Sequence, residues 1–266
     1  MTFFKHNIAK RISFVSVILI FSLLTAGCQV TSKKAPEIIT ISAAASLKGS
    51  MDQLKELYKK EKPNIELVIN FGSSGDLQQQ IENGAPVDLF LSAGEKQMNA
   101  LLTKELLLDN KSQNLLKNTL VLITPREKTT VKTFDDLLTD HVKQIALGDS
   151  KSVPAGQYAE EMFKKLNYLD IIKSKAVYGK DVKQVLIYVE SGEVDAGVVY
   201  STDAKASDKV TVVATAPNDS HAPILYSVAV IKSSSHATAS KEFIDFLYSD
   251  KAKSVFEGAG FTALSK

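Results

Sequence analysis

Two serine-bearing turns concentrate the chemistry this chain could do. Ser46 closes the run Ala43-Ala44-Ala45-Ser46, and Ser73 and Ser74 stand between Gly72 and Gly75. Each turn follows a segment that reads as a β-strand and precedes one that reads as a helix; after Ser46 the apolar residues are Leu47, Met51, Leu54 and Leu57. A serine at such a junction meets unpaired backbone N–H groups and the positive end of a helix dipole, and its hydroxyl adds another donor. That is equipment for holding an anion.

Three later turns share this character: Val153-Pro154-Ala155-Gly156, Lys180-Asp181-Val182 and Val198-Val199-Tyr200. Ala155 and Val182 carry no polar side-chain group, so either could contribute only through backbone N–H. Ligands of open α/β sheets bind at the carboxyl ends of strands, where these turns fall. Singly, each residue has a plainer reading. A serine at a strand-to-helix turn is most often an N-cap, Asp181 reads as the cap of a helix beginning at Val182, and Tyr200 reads as a structural aromatic.

Catalytic readings find little support. Beyond the leader the histidines are His141, His221 and His236, in no metal-ligand spacing, and His221 and His236 lie in polar stretches that read as solvated. There is no Gly-x-Ser-x-Gly elbow and no phosphate-binding P-loop. Ser73 or Ser74 could act as a nucleophile only with a general base held in reach.

The elements that must position these turns alternate in type. Strands are expected from Ile39, at 65–71, 87–93, 118–124, 144–148, 194–200, 210–214 and 224–231. Helices are expected at about 47–61, 77–83, 95–102, 134–138, 157–166, 182–192, 238–248 and 251–257. The alternation argues for an α/β fold with a mainly parallel sheet. The strand stopped by Pro125 reads as a crossing into a second lobe, and 224–231 as the return crossing. Lobe 1 is then 38–118 plus 224–266, lobe 2 is 119–223, and a cleft lies between them.

The chain has 266 residues, 44% hydrophobic and 23% charged, enough for two such lobes. Residues 1–27 read as an export signal: Lys5, Lys10 and Arg11 precede an apolar run, followed by Thr25-Ala26-Gly27-Cys28. Cys28 is the only cysteine, and its setting is similar to the lipobox of bacterial lipoproteins, with Thr25 where Leu, Val or Ile is usual. Lipidation at Cys28 would leave 28–37 as a polar tether. The leader holds three basic residues and no acid, leaving 29 basic and 30 acidic residues. That balance offers no concentrated basic surface for nucleic acid.

Taken together, Ile41 to Leu47, Phe71 to Gly75, Gly84 to Ala93, Gly148 to Ala159, Asp181-Val182, Gly197 to Ala204 and Gly260-Phe261 resemble the molybdate-binding proteins of ABC importers. The resemblance runs from Ile38 to the C-terminus. It implies a two-lobed periplasmic-binding-protein fold of type II with two crossing strands. It also implies that molybdate or tungstate is held by Ser46, Ser74, Ala155, Val182 and Tyr200, with Ser73 a further possible contact. Gly72 and Gly75, where family members often have Ala or Ser, are expected to loosen their turn. The resemblance further implies a binding protein rather than an enzyme, with no cofactor and no metal beyond the molybdenum of the oxyanion. It implies a monomer outside the cytoplasmic membrane, anchored through Cys28 and serving the membrane subunits of an ABC permease.

Overall fold

The computed structural model describes residues 35–128 and 130–266; the leader and Cys28 lie outside the described residues. Strand β1 (Glu37–Ala44) starts inside the expected tether, because Glu37 already pairs with Ile65 of β2 (Ile65–Gly72). Between them runs helix α1 (Lys48–Glu61), entered through a 3-10 turn at Ala45–Leu47. Its buried residues Met51, Leu54 and Tyr58 fall three or four apart, with Ser50 beside them, the stripe a helix needs to cover a sheet.

The pattern repeats. Helix α2 (Ser74–Glu82) leads to β3 (Leu89–Ser92), and α3 (Glu95–Thr103) to β4 (Gln113–Lys117). Strand β3 is buried throughout, with Leu89 and Leu91 in the main core and Phe90 in a second cluster with Leu77, Met98 and Leu101. This two-sided burial is why the strand reads as a continuous apolar run. With β10 (Leu225–Val230) and β11 (Thr262–Ala263), these strands form one sheet in the order β11-β4-β10-β3-β1-β2. Strand β1 pairs in parallel with β2 and β3, while β10 is antiparallel to both neighbours. Helices α8 (Ala237–Leu247) and α9 (Asp250–Ala259) complete this lobe.

The second sheet has the order β7-β6-β8-β5-β9. Its strands are β5 (Leu120–Pro125), β6 (Ile145–Gly148), β7 (Ala176–Gly179), β8 (Ala196–Tyr200) and β9 (Val210–Thr215). It carries α4 (Pro154–Lys165), α5 (Leu169–Lys175), α6 (Val182–Glu190) and the single turn α7 (Ser201–Lys205). Strand β4, helix α5 and strand β7 are not among the elements expected from the sequence, and the segment expected as a helix at 134–138 is a 3-10 turn.

The crossings are not strands. Strand β5 lies wholly in the second sheet and β10 wholly in the first. The chain passes over at Asn118-Thr119 and returns through 216–224, and the two passages touch where the Asn118 amide donates to the Ile224 carbonyl at 3.2 Å. Apolar strands mark the sheets, whereas a hinge needs only a short extended link.

Candidate functional site

The carboxyl ends of β1, β2, β3 and β8 and the N-termini of α2, α4 and α6 converge on one small pocket between the sheets. Its walls include Ser46, Ser73, Ser74, Ala155, Val182 and Tyr200. All six are buried, so turns spread over 155 positions of chain come together away from bulk water. The pocket is small, with a cavity volume of about 10 Å³, and its lining contains no Lys, Arg or His. A larger groove over β10 and α8, near Lys241 and Lys266, lies apart from this convergence.

Ser46 is not a helix cap. It sits inside the 3-10 turn, whose cap position is Ala44, and its Oγ lies 2.8 Å from the hydroxyl of Tyr226. Ser73 does cap α2: its Oγ accepts the Asp76 amide at 3.1 Å. The Ser74 Oγ instead accepts the Ala93 amide, at 3.0 Å, tying α2 to the end of β3. Ser73 and Ser74 therefore use an oxygen lone pair internally and keep a hydroxyl proton to give.

Backbone donors complete the set. In the first turn of α2 the amides of Gly75, Asp76 and Leu77 go to Ser152 O, Ser73 Oγ and Ser73 O; the Ser74 amide is the fourth. Ala155 follows Pro154 in the first turn of α4, and Val182 opens α6, so neither amide has a partner within its helix. Asp181, although in the pocket wall, caps α6 through Oδ1 to the Gln184 amide at 2.9 Å. The capping reading holds for Asp181 and Ser73 and fails for Ser46 and Ser74.

Tyr200 supplies the most telling atom. The residue is 1% exposed and its hydroxyl has no hydrogen-bond partner. A buried unpaired hydroxyl costs about 1–3 kcal/mol, which argues for a partner that arrives from solution. Burial pushes the Tyr200 phenol well above its ordinary value, so it is a donor at neutral pH. Behind it, Asp203 is fully buried and its carboxyl is raised by burial against the pull of Lys183, whose Nζ lies 2.8 Å away.

Both sheets contribute to closing the pocket. The Gly75 amide donates to the Ser152 carbonyl across the cleft at 2.9 Å, and Gln97 Nε2 donates to Gln157 Oε1 at 3.1 Å. A Cβ on Gly75 would stand 2.5 Å from Ser152 O. The expected loosening of the turn is therefore replaced by a different role: Gly75 allows the lobes to meet. His236 also departs from the solvated reading, since its Nδ1 lies 3.2 Å from buried Asp88, which also accepts the Thr40 amide and the Ser234 hydroxyl. Sequence reasoning missed Tyr226 and Asn118 behind Ser46; in sequence they are an aromatic within an expected strand and an asparagine that opens one.

The arrangement suits a fully ionised tetrahedral anion, held by oriented dipoles in place of its hydration shell. Comparison with known proteins agrees with this architecture. Residues 39–262 match the family model described as bacterial extracellular solute-binding protein. The molybdate-binding protein ModA of Haemophilus influenzae is 39% identical over 96% of this chain and 99% of its own. A solved substrate-binding domain from Clostridium difficile, assigned to a molybdenum ABC transporter, is 47% identical with a TM-score of 0.67, covering 86% of this chain and 99% of its own. The periplasmic molybdate-binding protein of Azotobacter vinelandii superposes at TM-score 0.77 over 86% of this chain and all of its own; at 23% identity it speaks for the fold alone. With its two sheets, the pocket between them and a match across nearly all of the described residues, the chain belongs to the family of bacterial extracellular solute-binding proteins.

Proposed function

We propose that this protein captures molybdate, or tungstate of nearly the same size and charge, outside the cytoplasmic membrane and delivers it to an ABC permease. The observation that carries the reading is the unpaired, buried Tyr200 hydroxyl in a pocket rich in donors and free of basic side chains, whose one carboxylate, Asp181, is engaged as a helix cap. The names of the Haemophilus and Clostridium relatives support molybdate as the anion. Ser46, Ser74 and Tyr200 bind it through hydroxyls and Ala155 and Val182 through amides, with Ser73 adjacent. Lobe 1 (38–118 and 224–266) holds it while lobe 2 (119–223) closes.

The donor set discriminates against protonated phosphate, while sulfate, which also brings only acceptors, differs from molybdate in its shorter bonds and is set apart by size. A phosphate species that carries an O–H would bring a donor to a site of donors and leave it unpaired, whereas molybdate brings only acceptors. Binding without turnover is supported by Ser73 and Ser74, whose oxygens accept backbone amides rather than facing a base. Anchoring through a lipidated Cys28 and a monomeric state belong to the same proposal. Calorimetric titration of the purified protein with molybdate, tungstate, sulfate and phosphate should give tight one-to-one binding for the first two only. A preference for sulfate or phosphate overturns the assignment.

A further inference from the structure

We propose that Asn118 and Tyr226 are positioning residues that fix the Ser46 hydroxyl as a one-way donor into the pocket, and so connect the hinge to the anion. The inference rests on the oxyanion reading of that pocket. It starts from the orientation of the Asn118 amide. Its Oδ1 accepts from the Thr119 amide at 2.8 Å and from the Ser201 hydroxyl at 3.1 Å. With the oxygen so placed, Nδ2 faces Thr202 Oγ1 at 2.9 Å and the Tyr226 hydroxyl at 3.2 Å.

An amide NH2 can only donate, so the Tyr226 oxygen accepts from Asn118. The phenolic proton must then go elsewhere; the Tyr200 hydroxyl is also nearby, and Ser46 Oγ, at 2.8 Å, is the nearest acceptor. Ser46 thereby receives a hydrogen bond from Tyr226 and has one proton of its own left, which the pocket can take. Tyr226 is 1% exposed and wedged between Tyr200 and Phe261, with ring centroids 5.8 and 5.3 Å apart, so the phenol has little freedom to turn away. Every link of the chain Asn118, Tyr226, Ser46 points the same way.

The position of the chain gives it a second consequence. Asn118 is the residue at which the main chain leaves the first sheet, and its side chain spans to Ser201 and Thr202 of α7, which follows β8 of the second. Tyr226 lies just past the return crossing. The orientation of Ser46 is therefore set by groups that meet when the two sheets have this relative placement. A displaced hinge would release Asn118 from Ser201 and Thr202, and with it the fixed direction of donation.

A double-mutant cycle on the full-length mature protein, read by calorimetric titration with sodium molybdate, tests this. Tyr226→Phe should weaken molybdate binding about tenfold in the otherwise unaltered protein, on the order of one hydrogen bond to a charged group, and less than about twofold when Ser46 is already Ala. Asn118→Ala, measured against Ser46→Ala in the same way, supplies the same test should Tyr226→Phe not fold. Losses of equal size in the two backgrounds, or no loss from either substitution, overturn the relay while leaving molybdate binding intact. An unaltered protein that binds no molybdate overturns both the relay and the oxyanion reading.

Discussion

At the residue scale, the site is defined by hydroxyls whose oxygens are already engaged or whose protons await a partner. Tyr200→Phe isolates the second kind. Removing an unpaired buried hydroxyl should leave the ligand-free protein equally stable or raise its stability by about 1 kcal/mol, while molybdate affinity falls about ten- to a hundredfold. Thermal melts with and without molybdate should thus move in opposite directions, and a ligand-free variant that melts markedly lower would tie the hydroxyl to the fold instead. Ser74→Ala behaves differently, because it also strips the Ala93 amide of its acceptor. That variant should lose stability and affinity together, by about 1–3 kcal/mol each in denaturation and titration.

At the scale of elements, the close approach of α2 to the loop before α4 decides whether the cleft can shut. Gly75 is a helical residue, so alanine there favours α2 by about 1 kcal/mol, yet its Cβ would overlap the Ser152 backbone across the cleft. Gly75→Ala should keep or raise ligand-free stability and lower molybdate affinity more than tenfold; unchanged affinity would mean that the lobes need not meet there. In the second sheet, Asp195 ties the start of β8 to β6. Burial pushes its carboxyl up, but hydrogen bonds from Lys128 and from the Gln144 and Lys143 amides outweigh burial and hold it below the ordinary carboxylate value. A depressed folded-state pKa contributes stability above the unfolded value near 3.9 and loses it as pH falls through the folded one. Asp195→Ala should therefore destabilise by about 1–3 kcal/mol at pH 7, with the gap narrowing below about pH 4 in urea titrations. A gap independent of pH would show that packing, not the ionised carboxylate, is what the residue supplies.

At the scale of the whole molecule, an anion held by both sheets favours the arrangement in which they face each other. Molybdate at about 100 times its dissociation constant should add about 2.7 kcal/mol to the unfolding free energy. Small-angle scattering should register a smaller radius of gyration for the unaltered protein on adding molybdate, and a smaller change for Gly75→Ala. No contraction in the unaltered protein would indicate that the lobes do not move about Asn118-Thr119 and 216–224.

The α/β alternation, the apolar strands of both sheets and the turns bearing Ser46, Ser73, Ser74, Ala155, Val182 and Tyr200 were legible in the sequence, because strand and helix periodicities and turn residues are local properties. The sequence also set the chemistry on offer: hydroxyls and amides at helix starts, with no histidine and no metal-ligand cluster beside them. Only the tertiary structure decided which serines are caps and which keep a proton for the pocket. Ser46 turns to Tyr226, 180 positions away, and Ser74 to Ala93. The relay behind Ser46 and the role of Gly75 at the lobe contact were illegible for the same reason, although the sequence did place a lobe boundary at Asn118-Thr119. Each depends on which distant groups come within hydrogen-bond reach, and no spacing along the chain encodes that distance.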